Sequence, residues 1–189
     1  MGIGEKIINF FKINGITHQV TGNHVEIKNN KIYVDDKEIT TVKEKHLDIE
    51  WKGELASLSI SRGSIKCGDV KGDVSADENV ECNNVGGQID AGGNVSCKDV
   101  GGRVETEGNV TCENVNGSVQ TEGNIQAGDV KEYADAGGNI NCGNVGGNVD
   151  GGGNIICKNV EGSVETEDGS VNCGSVNGDI NADSVRVGR

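Results

Sequence analysis

Proline is absent from the 189 residues, and aromatic side chains make up only 3% of them. A three-layer α/β domain fills the space between its layers with bulky side chains, and these are missing. A thin fold with a narrow core of small residues remains. No run of eighteen apolar residues occurs, so no membrane-spanning helix is expected. The opening "MGIGEKIINFFKING" has an acid beside its first lysine and no cleavage-site pattern, which predicts no secretory signal. Lys6 stands where a myristoylation motif needs Ser or Thr. These features predict a cytoplasmic location, and an odd count of seven cysteines fits a reducing compartment better than a disulfide framework.

Positive charge is scarce in one part of the chain only. Residues 1–64 hold nine Lys/Arg and nine Asp/Glu, whereas residues 65–189 hold eight and twenty-one. The whole net charge of −13 therefore lies in the second region. A surface of that sign repels phosphate backbones and excludes nucleic acid as a partner. Most of the 31 glycines crowd into the same region.

What fills that region is a repeat. Cys67, Cys82, Cys97 and Cys112 are fifteen residues apart, as are Cys142 and Cys157; Cys173 follows after sixteen, and Ala127 takes the one vacant place. The units share the pattern [VI]-x-C-x-[ND]-V-x-G-x-[VI]-x-[AT]-x-G-N. V-x-C and V-x-A alternate with the period of a strand that buries one face. Each strand is too short to fold alone, so a unit gains stability by stacking on its neighbours. The expected fold is all-β: a parallel β-solenoid of eight 15-residue coils on a three-sided section, about 38 Å long at roughly 4.8 Å per coil. Asn79, Asn94, Asn109, Asn124, Asn139 and Asn154 recur at one corner and should stack into an amide ladder.

The cysteine place lies two residues after an inward Val or Ile, so the thiol points inward and packs as a small hydrophobe. Zinc needs ligands converging at about 2.3 Å, which a row of sulfurs spaced at about 4.8 Å does not supply. The histidines, His18, His24 and His46, all lie outside the repeats. Neighbouring coils satisfy the Cα distance of a disulfide, but parallel side chains are expected to lie alongside one another. Neither a metal nor a cofactor is expected.

Residues 1–48 read as an N-terminal capping module, with residues 49–189 as the solenoid. "EKIINFFKI" predicts an amphipathic helix that covers the end of the core or, in a sharper reading, touches a membrane surface. "NHVEIKNNKIYVDDKEI" predicts a hairpin with Asn29 and Asn30 between Val25/Ile27 and Ile32/Val34. Residues 49–64 read as a degenerate first coil with Trp51 in the cysteine place.

Asp77, Asp90, Glu105, Glu107, Glu122, Asp135, Asp150, Glu165, Glu167 and Asp183 gather along one outer edge. Calcium-binding β-rolls repeat at about nine residues, which this chain does not, so the row reads as a solvating face. No nucleophile stands beside a base within the repeats, and no enzymatic activity is expected. One coil breaks the pattern, and Glu132, Tyr133 and Asp135 there are candidate partner contacts. Near the C-terminus Val185 and Val187 start a further coil and are candidates for self-association into a homo-oligomer.

The G-N-V-x-C-x-x-V-x-G-x-V units, preceded by "VEIKNNKIYVDDKEI", resemble the short β-solenoid proteins of bacteria and phages that are grouped with adhesins of the auto-transporter-head type. That resemblance spans residues 25–187 and implies a fold rather than an activity. The V-x-G-x-[IV] rungs are also similar to those of bactofilins, which are polymer-forming cytoskeletal solenoids. Together these features lead to the expectation of a structural or interaction protein that meets an unidentified protein partner, with a self-assembling filament as the alternative.

Overall fold

The computed structural model describes residues 8–13, 16–29, 31–41, 49–52 and 55–188. Over these residues the chain is all-β, and its body is a parallel β-solenoid of about nine turns. Three rows of residues run along it. The first place of each coil, from Ile65 to Val171, lies in a nine-stranded parallel sheet at an offset of fifteen or sixteen residues. The sixth place runs from Leu55 through Val70 to Val160 in single-residue bridges, except that Val100 and Val115 pair within a two-residue parallel ladder. The tenth place, from Val74 to Ile180, lies in a twelve-stranded sheet.

Most strands in the coils are only two or three residues long. None could bury a useful area alone, and their inward Val, Ile, Ala and Cys form one continuous buried core. Thr106 and Thr121 also turn inward, and their hydroxyls donate to the carbonyls of Gly93 and Gly108 in the preceding coil. Thr166 donates likewise to the Gly153 carbonyl at 2.6 Å. The buried hydroxyls are thus satisfied without widening the section.

The expected asparagine ladder forms. The backbone N–H and the Nδ2 of Asn94 both donate to Asn79 Oδ1, at 2.8 and 3.2 Å. The same pair of bonds recurs from Asn109 to Asn94, Asn124 to Asn109 and Asn139 to Asn124. A second ladder stands at the fifth place, where Asn84 donates to Asp69, Asn114 to Asp99 and Asn144 to Asp129. Over the first five coils Asp and Asn alternate at this place, so no two carboxylates stack on each other there.

The hairpin is where the sequence places it. β3 (His24–Lys28) and β4 (Lys31–Val34) pair antiparallel, with Val25 opposite Val34 and Ile27 opposite Ile32. Asn29 has the left-handed φ of 50° that a tight turn asks for. A second turn through Asp35 and Asp36, also left-handed, leads into β5 (Lys37–Thr41). β3 lies parallel to β7 (Ser57–Ile60), and β7 to the first regular coil, so the hairpin continues one face of the solenoid. Ile32 and Val34 are buried with the core.

The expected helix is not what forms over residues 8–13. β1 (Ile8–Ile13) is a strand, antiparallel to both β2 (Ile16–Thr21) and β6 (Ile49–Lys52). "INFFKI" is rich in β-branched and aromatic residues, which suit a pleated surface with partners on both sides. Residues 5–7 of the predicted helix lie outside the described residues, and no described helix is long and apolar enough to cross a membrane. Leu55, Leu58 and Ile60 occupy the rows of Val70, Val74 and Ala76, as a degenerate first coil should. Trp51, by contrast, lies in β6 opposite Phe11 rather than in the parallel cysteine row.

Candidate functional site

The eleventh and thirteenth places flank the inward twelfth, so their side chains face solvent on the twelve-stranded sheet. Asp77, Asp90, Glu105, Glu107, Glu122 and Asp135 line a shallow trough of about 460 Å³ over the small inward residues. Arg103 Nη1 meets Glu105 at 2.8 Å. The Asp90 and Asp135 carboxylates make no hydrogen bond or ion pair with any described residue, and the parallel register sets Asp90 against Glu105 of the following coil and Asp135 against Gln120 of the preceding one. Among the described residues no group of three or more His, Cys, Asp or Glu is placed to hold a metal ion.

Electrostatics differ along the two polar rows. In the acidic row the Asp150 carboxyl is pushed up, first by burial and then by the like charges of Asp135, Glu165 and Glu167. A carboxyl raised by folding weakens the fold wherever it is ionised, and the penalty is lifted as pH falls through its folded pKa. Asp150→Asn is therefore expected to stabilise the protein at neutral pH by about 0.5 kcal/mol, a small value because solvent screens exposed charges. Urea unfolding at neutral pH and in acid checks this, since the gain should vanish once Asp150 itself is protonated. Asp129, in the Asp/Asn ladder, behaves in the opposite sense. Hydrogen bonds from the Asn144 backbone and then its side chain hold its carboxyl down. It adds stability above the unfolded carboxylate pKa and loses it as pH falls through the lowered one.

The irregular coil is an accommodation as well as a surface. Its eighth place is Glu132, where the other coils have glycine packed against the preceding coil. A Cβ at Gly117 would lie 2.7 Å from the Gly102 carbonyl carbon. Glu132 carries that Cβ, and its N–H reaches the Gly117 carbonyl at 3.3 Å, against 2.8 Å from Gly102 to Gly87. Ala134 takes the buried valine place beside it. Tyr133 is 40% exposed and Glu132 is also exposed. Neither lines the trough, whereas Asp135 does, so the three candidate contacts do not form one cluster around it.

Val185 and Val187 belong to the strand Ser184–Val187, stacked on Val171 and Cys173. They continue the inward rows yet remain 49% and 43% exposed. A further contact was not legible in the repeats: His24 Nδ1 touches Ser57 Oγ because β3 and β7 bring the two into register. The nearby Asp35 Oδ1 accepts from the backbone of Asn23 and His24 instead of orienting the imidazole. The pair is a cross-strand hydrogen bond at the junction of the hairpin with the first coil.

The cysteines follow the expected inward direction, with six buried and Cys67 partly exposed. One expectation about them needs correcting. The sulfurs of Cys67 and Cys82 approach each other to 3.0 Å, so these two side chains turn toward one another rather than lying side by side. Coil spacing fixes the Cα positions, but rotation about Cα–Cβ is free to close the remaining distance. No protein-family model, curated protein or solved structure matches this chain.

Proposed function

We propose that this chain is a non-enzymatic interaction protein whose acidic solenoid face receives a positively charged protein partner. The observation that carries this reading is the trough of in-register carboxylates on the twelve-stranded sheet. A solvating row needs only exposure, whereas these side chains share a concave strip in which Arg103 is paired with one of them. A concave field of one sign favours an oppositely charged surface and speeds its encounter. The test is capture from an extract of the source cells, by wild type and by Asp90→Asn/Glu105→Gln/Glu122→Gln/Asp135→Asn. A basic partner should be retained by the wild type, lost by the variant, and released as salt shortens the Debye length from about 10 Å to about 3 Å. Identical recovery by the two proteins would sink this reading.

The exposed Val185 and Val187 favour a second reading, self-association into a homo-oligomer or filament. Electron microscopy separates the two: long unbranched filaments support assembly, and discrete particles support the interaction protein. Light scattering with Val187→Lys then locates the contact, because a dimer untouched by that variant forms elsewhere.

A further inference from the structure

The thiol row contains one asymmetry. Cys97 and Cys112 lie buried between coils, while Cys67 begins the row and is partly exposed. Its sulfur also has a close neighbour, Cys82 Sγ at 3.0 Å. Adjacent coils set the two Cα atoms at about 4.8 Å, inside the range a disulfide accepts. Contact, backbone spacing and access from solvent therefore coincide at one pair of residues.

We propose that Cys67 and Cys82 form a redox-active pair, which a low-molecular-weight disulfide such as oxidised glutathione converts into a disulfide between the first two regular coils. The Cys67 thiolate attacks one sulfur of the small disulfide, whose S–S bond breaks. One glutathione thiolate leaves and takes up a proton, and Cys67 carries the mixed disulfide. Cys82 then gives its proton to solvent and attacks Cys67 Sγ, expelling the second glutathione. Two protein thiols are oxidised by two electrons, and one glutathione disulfide is reduced to two thiols.

The order of the steps follows from the surroundings. Cys82 is buried, and hydrogen bonds to Cys67 and Cys97, followed by burial, push its thiol up. It is a poor first nucleophile but stands against the sulfur it must resolve. The rival pair is Cys157 and Cys173. A hydrogen bond from Cys157 pulls the Cys173 thiol down to about 7, but Cys173 is only 3% exposed, which closes it to a bulky disulfide from solution.

Peptide mapping of the full-length protein tests the proposal. The protein is incubated with oxidised glutathione, quenched with acid and N-ethylmaleimide, and cleaved with trypsin and with a protease that cuts before Asp90, which separates Cys82 from Cys97. Wild type should lose two hydrogens, retain no glutathione and yield the peptide of Cys67 joined to that of Cys82. Cys82→Ala should turn the glutathione adduct of Cys67 from a trace into the dominant species. Cys67→Ala should show neither product. Alanine already occupies this row at Ala127, in a coil that keeps its register, so both variants are expected to fold. A persistent adduct on wild-type Cys67, first reaction at Cys173 or any other cysteine, or no reaction at all would overturn the proposal.

Discussion

Cys97→Asp is expected to destabilise the protein by about 4 kcal/mol or more, and Cys97→Ala by only about 1–2 kcal/mol. Cys97 is 8% exposed and lies inside the coil, with Cys82 and Cys112 in the same row on either side. Alanine removes one sulfur and leaves a small void. The chain shows that this is tolerable, since Ala127 holds the same place while its N–H still donates to the Asn141 carbonyl at 3.0 Å. Aspartate puts a carboxyl where the nearest side chains are thiols and aliphatics, with no cation to meet it. It must be buried charged or take up a proton, and both are costly. Urea unfolding followed by circular dichroism measures the difference. Equal losses for the two variants would mean that the thiol, rather than the space it fills, matters at this place.

Deleting residues 95–109 is expected to leave a folded, shorter rod, whereas deleting the smaller segment 95–102 should be far more damaging. The first deletion removes one whole coil and joins Asn94 to Val110, which has the same place in its coil as Val95. Each coil contacts only its neighbours, so stability is close to a sum of coil and interface contributions. The denaturant slope should fall by roughly a tenth, in proportion to the surface removed. The second deletion puts Arg103 in the first place and turns Val104 outward, because side-chain direction alternates along the strand. Seven residues must then loop out or bury a charge, at an expected cost above about 4 kcal/mol. If the short deletion proved the milder one, the coil would not be the unit of stability.

Period and corners were legible because every coil repeats the same task. Val and Ile at the first, sixth and tenth places, and Asn79 through Asn154 at the corner, state their roles many times over. The hairpin was legible for a different reason: Val25, Ile27, Ile32 and Val34 alternate around a local turn, so sequence neighbours decide it. The strand Ile8–Ile13 was not, because a short apolar run fits a helix or a strand equally well. Its pairing with β6, some forty residues away, decides the matter. The second ladder had a signal in the Asx residues that recur at the fifth place from Asp69 to Asn159. The contact between Cys67 and Cys82 depends on side-chain rotation, which spacing does not encode. The acidic row was visible, whereas its concavity comes from the stacking of coils over small inward residues.

The asparagine ladder is one-way. Each amide donates toward the N-terminus, so a finished coil leaves an acceptor oxygen facing the residues still to come. On a ribosome working at about 5–20 residues per second, a coil of this length emerges in roughly one to three seconds. Closing a local strand pair takes about 1–10 μs. Each coil therefore has ample time to settle on its predecessor before the next appears, and inside the repeats its template is always behind it. The rod can be completed course by course during translation, and at every stage a single half-finished coil is all that the nascent chain leaves open.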